Sequence, residues 1–504
     1  GAGDDAGGKS GRFPESRLET GRPRLFFRSE AWPGGYSLAE MRARAQVDPF
    51  QERVKSLRTT QANLALKWLL TGDEAAAAEA LKMMKALPAK LDNSYDGDAL
   101  IDATLAYDWL HGWKGFSAED RAAVGDRVLA LAIGGRKQLE DGGAHVFHTR
   151  MYSWTAGVGM AGLALHGDRP EGAALFEFAR RYYEERLLPA RQIQGGAIHN
   201  GLTYGLNYMM FPTVQFLKSA KSAANVDYFH TANPADSEWL RELGSFLIDS
   251  VWPDFRHVPY ADVSTTDPAK HFRFMLDALA AEYRNGYAAE QGARIAEHFR
   301  TSGYHAEWMY LFLSFHDPTV QRRPLEGLPL AQSFSPAGVG HVFMRSGWSP
   351  DAAVVHFRCG DYFEDHGQFD QGSFTFFRKD TLALKTAGYW GAFDTAYRHH
   401  YYKQAISANT VIFSDPADPK DEGQQRNMHY QSAGTVAEYL AHKKSGAKPR
   451  VETGDMLAFD DPGWFSCTGG EAHFAAADVT AAWDAAKVRR FIRQLAFVNG
   501  RHLV

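Results

Sequence analysis

Three short stretches of the chain concentrate side chains that move protons or neutralise charge. The first runs from His145 to Trp154 and holds His145, His148, Arg150, Tyr152 and Trp154 just ahead of the small-residue run TAGVGMAGLALHG. The second, QGGAIHNGLTYGLNY at 194–208, sets His199, Asn200, Tyr204 and Tyr208 behind a glycine pair that permits close backbone approach. If a helix begins near His199, Tyr204 and Tyr208 share one face, being four positions apart, although a phenol pair so spaced is also ordinary packing. The third, CGDYFEDHGQFDQGSF at 359–374, places His366 among acids and glycines between two strand-like runs. Phenols and imidazoles are general acids and bases. An adjacent carboxylate fixes an imidazole's tautomer or raises its pKa. Amide, imidazole and guanidinium groups suit the stabilisation of developing negative charge.

Elements must hold these groups. From about Pro23 to Phe315 amphipathic stretches alternate with short breaks: QANLALKWLL, TGDEAAAAEALKMMKAL, DGDALIDATLAYDWLHGW and FSAEDRAAVGDRVLALAIGGRKQLE. Ser117 followed by Glu119 and Asp120 is a helix start, with a hydroxyl to cap free amides and early acids that suit the helix dipole. Gly72 and Asp73 punctuate two earlier helices. This hairpin rhythm without a strict repeat predicts helices paired around an axis, an incomplete α/α toroid. After RRPLEGLP the pattern changes to VGHVFMRSGW, AAVVHFRCG, GSFTFFRKD and TLALKTAGY, which read as strands, with turns at Ser346-Gly347, Ser349-Pro350-Asp351 and Lys379-Asp380. The expected organisation is a lead-in at 1–22, a helical catalytic domain at 23–321 and an antiparallel β-sandwich at 325–504, with the site in the groove between them. The last segment stops inside a strand-like pattern, so that domain is expected to be incomplete.

Composition narrows the class. The 504 residues are 45% hydrophobic, 13% aromatic and 23% charged, which supplies large cores and excludes wholesale disorder. A net charge of −5 attracts no polyanion by itself, so an acidic partner needs a local basic cleft. With only Cys359 and Cys467, far apart, neither a disulfide framework nor a cysteine zinc site is available, though one bridge is. No apolar run is long enough to span a bilayer, and GAGDDAGGKSG reads as a flexible lead-in rather than a signal peptide.

Taken together, these stretches resemble the heparinase II/III-like polysaccharide lyases, and the resemblance covers nearly the whole chain. PRLFF at 23–27 resembles that family's opening strand, AYDWL at 106–110 its early helix, and the GG, HNG and Tyr204 run its catalytic-tyrosine helix. Asp365-His366 through Asp370-Gln-Gly-Ser-Phe374, then LALKTAGY, Tyr401-Tyr402 and Ser407-Ala408-Asn409-Thr410, resemble its sandwich signature. The resemblance implies Tyr204 as catalytic tyrosine, His366 as the sandwich histidine, and His148 as the group that neutralises the substrate carboxylate, with His145 and Asn200 as competitors for that role. It implies a secreted or periplasmic bacterial enzyme acting on an acidic polysaccharide, with neither nucleic acid nor membrane as partner. Metal-binding relatives carry ligands where this chain has Gln368, Lys385 and Ala408, so no metal cofactor is expected there.

In such a lyase the C5 proton of a uronate is removed as the bond to O4 breaks. Tyr204 suits both proton transfers of a syn elimination; alternatively His366 is the base and Tyr204 the acid. His199, Arg150, Trp154, Tyr208, Arg398 and His399 are the further substrate-binding candidates, and Arg358, Arg378 and His400 are placed to meet anionic groups. Glycosaminoglycan is the expected substrate class, with alginate or another bacterial uronan as alternative. Two other readings stay open: a toroidal glycoside hydrolase, which needs two carboxylates flanking the scissile bond, and a glycan-binding homologue without turnover.

Overall fold

The computed structural model describes residues 12–90, 97–141, 145–262, 268–300, 306–364, 366–383, 395–421, 423–425, 435–445, 451–460 and 471–504. Helices fill the chain as far as Met309–Phe315, and strands follow from Ala331. The expected starts are present. Ser117 Oγ accepts from the Asp120 amide at 3.0 Å and Asp73 from the Ala76 amide at 3.0 Å, while Gly72, at φ 75°, closes the helix Gln61–Thr71.

The helix Thr149–Leu165 is the axis of the helical part. It packs against Gly97–Leu110, Ala118–Glu140, Gly172–Tyr182 and Phe211–Ala224, and every residue but Arg150 is buried. Its small residues make this crowding feasible. A Cβ on Gly162 would stand 2.4 Å from the Phe176 backbone nitrogen, so the helix Gly172–Tyr182 lies closer than any side chain allows.

PRLFF is not a strand. Only an isolated bridge, Arg28 to Ser37, forms beside it. The amides of Arg24 and Leu25 donate instead to the buried Asp108 carboxylate at 2.9 and 3.0 Å, and Leu25, Phe26 and Phe27 sink into the helical core. AYDWL thus acts through its carboxylate as well as its apolar face.

The five strands β1 (Ala331–Phe334), β2 (His341–Arg345), β3 (Ala353–Arg358), β4 (Ser373–Arg378) and β5 (Asp380–Ala383) form one antiparallel sheet in sequence order. Lys379, at φ 61°, makes the reversal into β5, and the rest of TLALKTAGY, with Lys385, lies outside the described residues. A second antiparallel sheet holds β6 (Asp455–Phe459), β7 (Ala472–Asp478), β8 (Ile492–Val498) and β9 (His502–Leu503). Val342, Met344, Val355 and Phe357 share a core with Ala475, Ala477, Leu495 and Phe497, so the two sheets form a sandwich. The alternate residues Phe343 and Val354 enter the helical core, where Phe343 and Phe334 meet Phe246 edge-on at 5.8 and 5.4 Å. The first sheet is therefore covered on both faces, which is why β2 and β3 are buried throughout.

A buried ion pair locks the same junction. Arg345 donates from Nε to Asp249 Oδ1 at 3.3 Å and from Nη2 to the Val251 carbonyl at 2.7 Å, and Gln332 donates to Asp249 Oδ2 at 2.6 Å.

Candidate active site

The structure brings the second and third clusters together across this junction. Tyr204 sits on a short helix, Leu202–Gly205, that runs into a π-helical turn, Leu206–Met210, before Phe211–Ala224. The wide turn has a local cause: Pro212 has no amide to give an ordinary helical bond, and the Phe211 amide instead reaches back to the Leu206 carbonyl. The face bearing Thr203, Tyr204, Asn207 and Tyr208 is half-buried while its neighbours are buried. Tyr204 stacks on His366 with ring centroids 3.9 Å apart and meets Tyr208 at 5.6 Å.

His366 belongs to the loop between β3 and β4. Its described residues are buried throughout, so it is no ordinary polar hairpin loop. His366 Nδ1 lies 2.8 Å from Asp262 Oδ2, a residue of the helical part that the sequence reading missed. Gln368 donates to the Ala261 carbonyl at 2.9 Å and to Asp262 Oδ1 at 3.2 Å. Arg398, fully buried, has Nη2 3.6 Å from Asp262 Oδ2, and Tyr402 donates to the Ala261 carbonyl at 3.0 Å.

Beside this group lies a buried carboxylate ringed by imidazoles. His199 Nε2 is 3.5 Å from Glu364 Oε1. Arg191 donates to Gln194 Oε1 at 2.5 Å, which turns the Gln194 amide nitrogen toward His199 Nδ1 at 2.8 Å and leaves the His199 proton on Nε2, facing Glu364. Burial pushes the Glu364 carboxyl up, but His199, His148 and His366 together outweigh it and hold it below the usual carboxylate range. Burial lowers the His199 pKa against the pull of Glu364, and it drives His145 down to about 3. His148 caps the axial helix, its Nδ1 accepting from the Arg150 amide at 3.1 Å, and its ring is 5.8 Å from that of His145. The half-buried Arg150 adds positive charge beside both rings.

Other expected residues lie elsewhere. Trp154 points away, into the space over Gly135 of the helix Ala118–Glu140, because the axial helix begins at Thr149 and carries Trp154 onto a packing face. Asn200 is fully enclosed, its amide against Met209 Sδ at 3.3 Å. His399 and His400 are exposed on the π turn Arg398–Tyr402, Arg378 is exposed at the end of β4, and Arg358 is buried in an ion pair with Asp370. Two cavities, of about 260 and 230 Å³, flank Asn207; the first is lined by His257 and His271, the second by Asp102, Trp308 and Tyr310. Neither is lined by Tyr204 or His366.

With this arrangement in view, solved structures supply the comparison. A structure of heparinase III superposes with a TM-score of 0.52 at 12% identity over 88% of this chain. A mutant of the heparan sulfate lyase HepC from Pedobacter heparinus gives 0.51 at 14% identity over 96% of this chain and 70% of its own. The chain shares the fold of heparinase III. It spans 60% of that protein's length. No protein-family model matches the sequence, and no curated protein does.

On this heparinase-like fold, the two described positions of the three that suggested lost metal ligands are engaged otherwise or bare. Gln368 spends its amide hydrogens on Ala261 and Asp262, and Ala408 has no donor atom. Among the described residues one carboxylate group is close enough to share a cation: Asp361, Glu452 and Asp455. The Lys443 ammonium sits within it, 2.9, 2.8 and 3.0 Å from the three. Cys359 is buried with its thiol toward the Asp478 carbonyl, while Cys467 lies outside the described residues. No described helix is long and apolar enough to cross a membrane.

Proposed function

We propose that the chain is a polysaccharide lyase that cleaves a uronate-containing glycan by β-elimination, without a metal. The observation that carries this reading is the stacking of Tyr204 on His366, two acid–base groups from the two halves of a fold shared with heparinase III. A base takes the C5 proton, its electron pair becomes the C4–C5 double bond, the C4–O4 bond breaks, and an acid returns a proton to O4. The positive charge of Arg150 near the His148 ring favours binding of the substrate carboxylate and stabilises the charge that develops on it. A glycosaminoglycan is the leading substrate, and export to the periplasm or medium fits a polymer too large to enter a cell.

The hydrolase reading loses its groups. Asp370 is paired with Arg358, Asp361 with Tyr439 and Lys443, and Glu364 with His199, all buried. Of these three described acids none is left to flank a glycosidic bond, and Asp365, the fourth acid of that loop, lies outside the described residues.

The test is ultraviolet absorbance of the unsaturated uronate product with separate glycosaminoglycans and alginate. Wild type is expected to give a rise that chelator leaves unchanged. Tyr204→Phe is expected to lose at least about 10²-fold, as removal of a general acid–base group does. Saturable binding without absorbance on every glycan would sink the enzymatic reading and leave a glycan-binding protein.

A further inference from the structure

We infer that Asp262 is a positioning residue that makes His366 the proton-accepting base and leaves Tyr204 as the acid; this deepens the proposed lyase reading and rests on it. Among the described residues the carboxylate has three polar side-chain neighbours. Oδ2 accepts from His366 Nδ1 at 2.8 Å, and Oδ1 accepts from Gln368 at 3.2 Å. The Arg398 guanidinium lies 3.6 Å from Oδ2. Asp262, His366, Gln368 and Arg398 are all at most 5% exposed, so no water competes freely for these bonds.

An ionised carboxylate only accepts hydrogen bonds. The proton of a neutral His366 is therefore on Nδ1, and the lone pair is on Nε2, the nitrogen that can take a proton from a substrate carbon. The buried guanidinium of Arg398 stands beside the same oxygen, so the carboxylate faces donors and a cation and meets no second acceptor among the described residues. As the C5 proton reaches Nε2, the ring becomes an imidazolium held against an anion already in place, which lowers the cost of charging it.

The backbone shows that the carboxylate is aimed. Ala261 adopts φ 56°, a conformation uncommon for a residue with a side chain. Its carbonyl is clasped from the sheet side by both Gln368 and Tyr402. Gln368 thus has two jobs at once: it holds the Ala261 turn and fixes the rotation of the Asp262 carboxylate. Asp262 comes from the helical part and His366 from the sheet part, so the tautomer of the base is set across the junction.

Two measurements test the assignment on the intact chain. In ¹⁵N-histidine-labelled wild type without ligand, His366, assigned by the signal lost in His366→Gln, is expected to be protonated at Nδ1. A ring protonated at Nε2 alone overturns the inference, whatever the glycan assays give. In Asp262→Asn the amide can also donate to Nδ1, so the tautomer is expected to shift and kcat to fall about 10³-fold or more, the scale seen when the aspartate behind a catalytic histidine becomes asparagine. KM is expected to stay within about threefold, since the carboxylate touches no substrate. An unchanged tautomer with a comparable loss of kcat, or a rise in KM that accounts for the loss, overturns the positioning role. If Asp262→Asn fails to fold, the wild-type spectrum still decides. If wild type yields no product on any uronan, the lyase reading falls while the spectrum continues to test the tautomer.

Discussion

His145 and His356 are buried rings whose pKa burial lowers to about 3. Their effect on stability has a definite sign. Between about 6.5 and about 3 the unfolded chain binds protons that the folded rings refuse, so stability falls as the pH drops through that window. From pH 7 to pH 5 each ring costs about 2 kcal/mol. Urea denaturation at the two pH values should show the fall, and His145→Gln should shrink the difference by about that amount; an undiminished difference would show that His145 does not stay neutral. Residue chemistry also marks how far sequence could reach. Tyr204, His199 and His366 sit in dense local patterns, which is why they stood out. Asp262 does not, because its partner is 104 residues away and nothing in WPDFRHVPYADV distinguishes it.

Among the elements, the loop Gly195–Asn200 shows how packing sets the site. Gly195 is at φ 57°, and a Cβ on Gly196 would stand 2.2 Å from the backbone of Glu242. Arg191 holds the loop from inside, donating to the Gly195 and Ala197 carbonyls at 2.5 and 2.8 Å. Gly196→Ala must push the loop off the helix Glu238–Asp249. It is expected to lose about 2 kcal/mol, the scale of overpacking, and to pull His199 from Glu364; a variant as stable as wild type in denaturant would show that the loop is slack. Helix starts, the switch from helices to strands, and the turn at Lys379 were legible because caps, periodicity and turn residues are local. PRLFF misled for the converse reason: its likeness to the family's opening strand is a local match, but distant Asp108 takes its amides. Trp154 misled because moving a helix start by a few residues changes the face on which a side chain lies. The π turn before Pro212 was likewise invisible to a reading based on a period of 3.6.

At the scale of the molecule, helices and sheet are joined by one apolar core and the Asp249–Arg345 pair. Burial pushes the Asp249 carboxyl up to about 7, against the pull of Arg345. Arg345→Leu would leave that carboxyl without its cation, so a loss of up to about 3–5 kcal/mol is expected at pH 9, where the wild-type carboxyl is ionised. Relative to wild type the loss should be smaller at pH 6, where Asp249 holds a proton with or without the arginine, because a raised pKa makes the ionised form the costly one. An equal loss at both pH values would mean that packing, not charge, is what the arginine supplies. The division of the site between halves also gives the chain a history in time. A growing chain presents Tyr204 and Asp262 long before His366 has been made, and domains fold in order as they emerge. On the proposed lyase reading, the nascent molecule therefore holds an acid and an aiming carboxylate with no base between them. On that reading it stays chemically silent until the sheet docks, so completion of folding and the onset of proton transfer would be the same event.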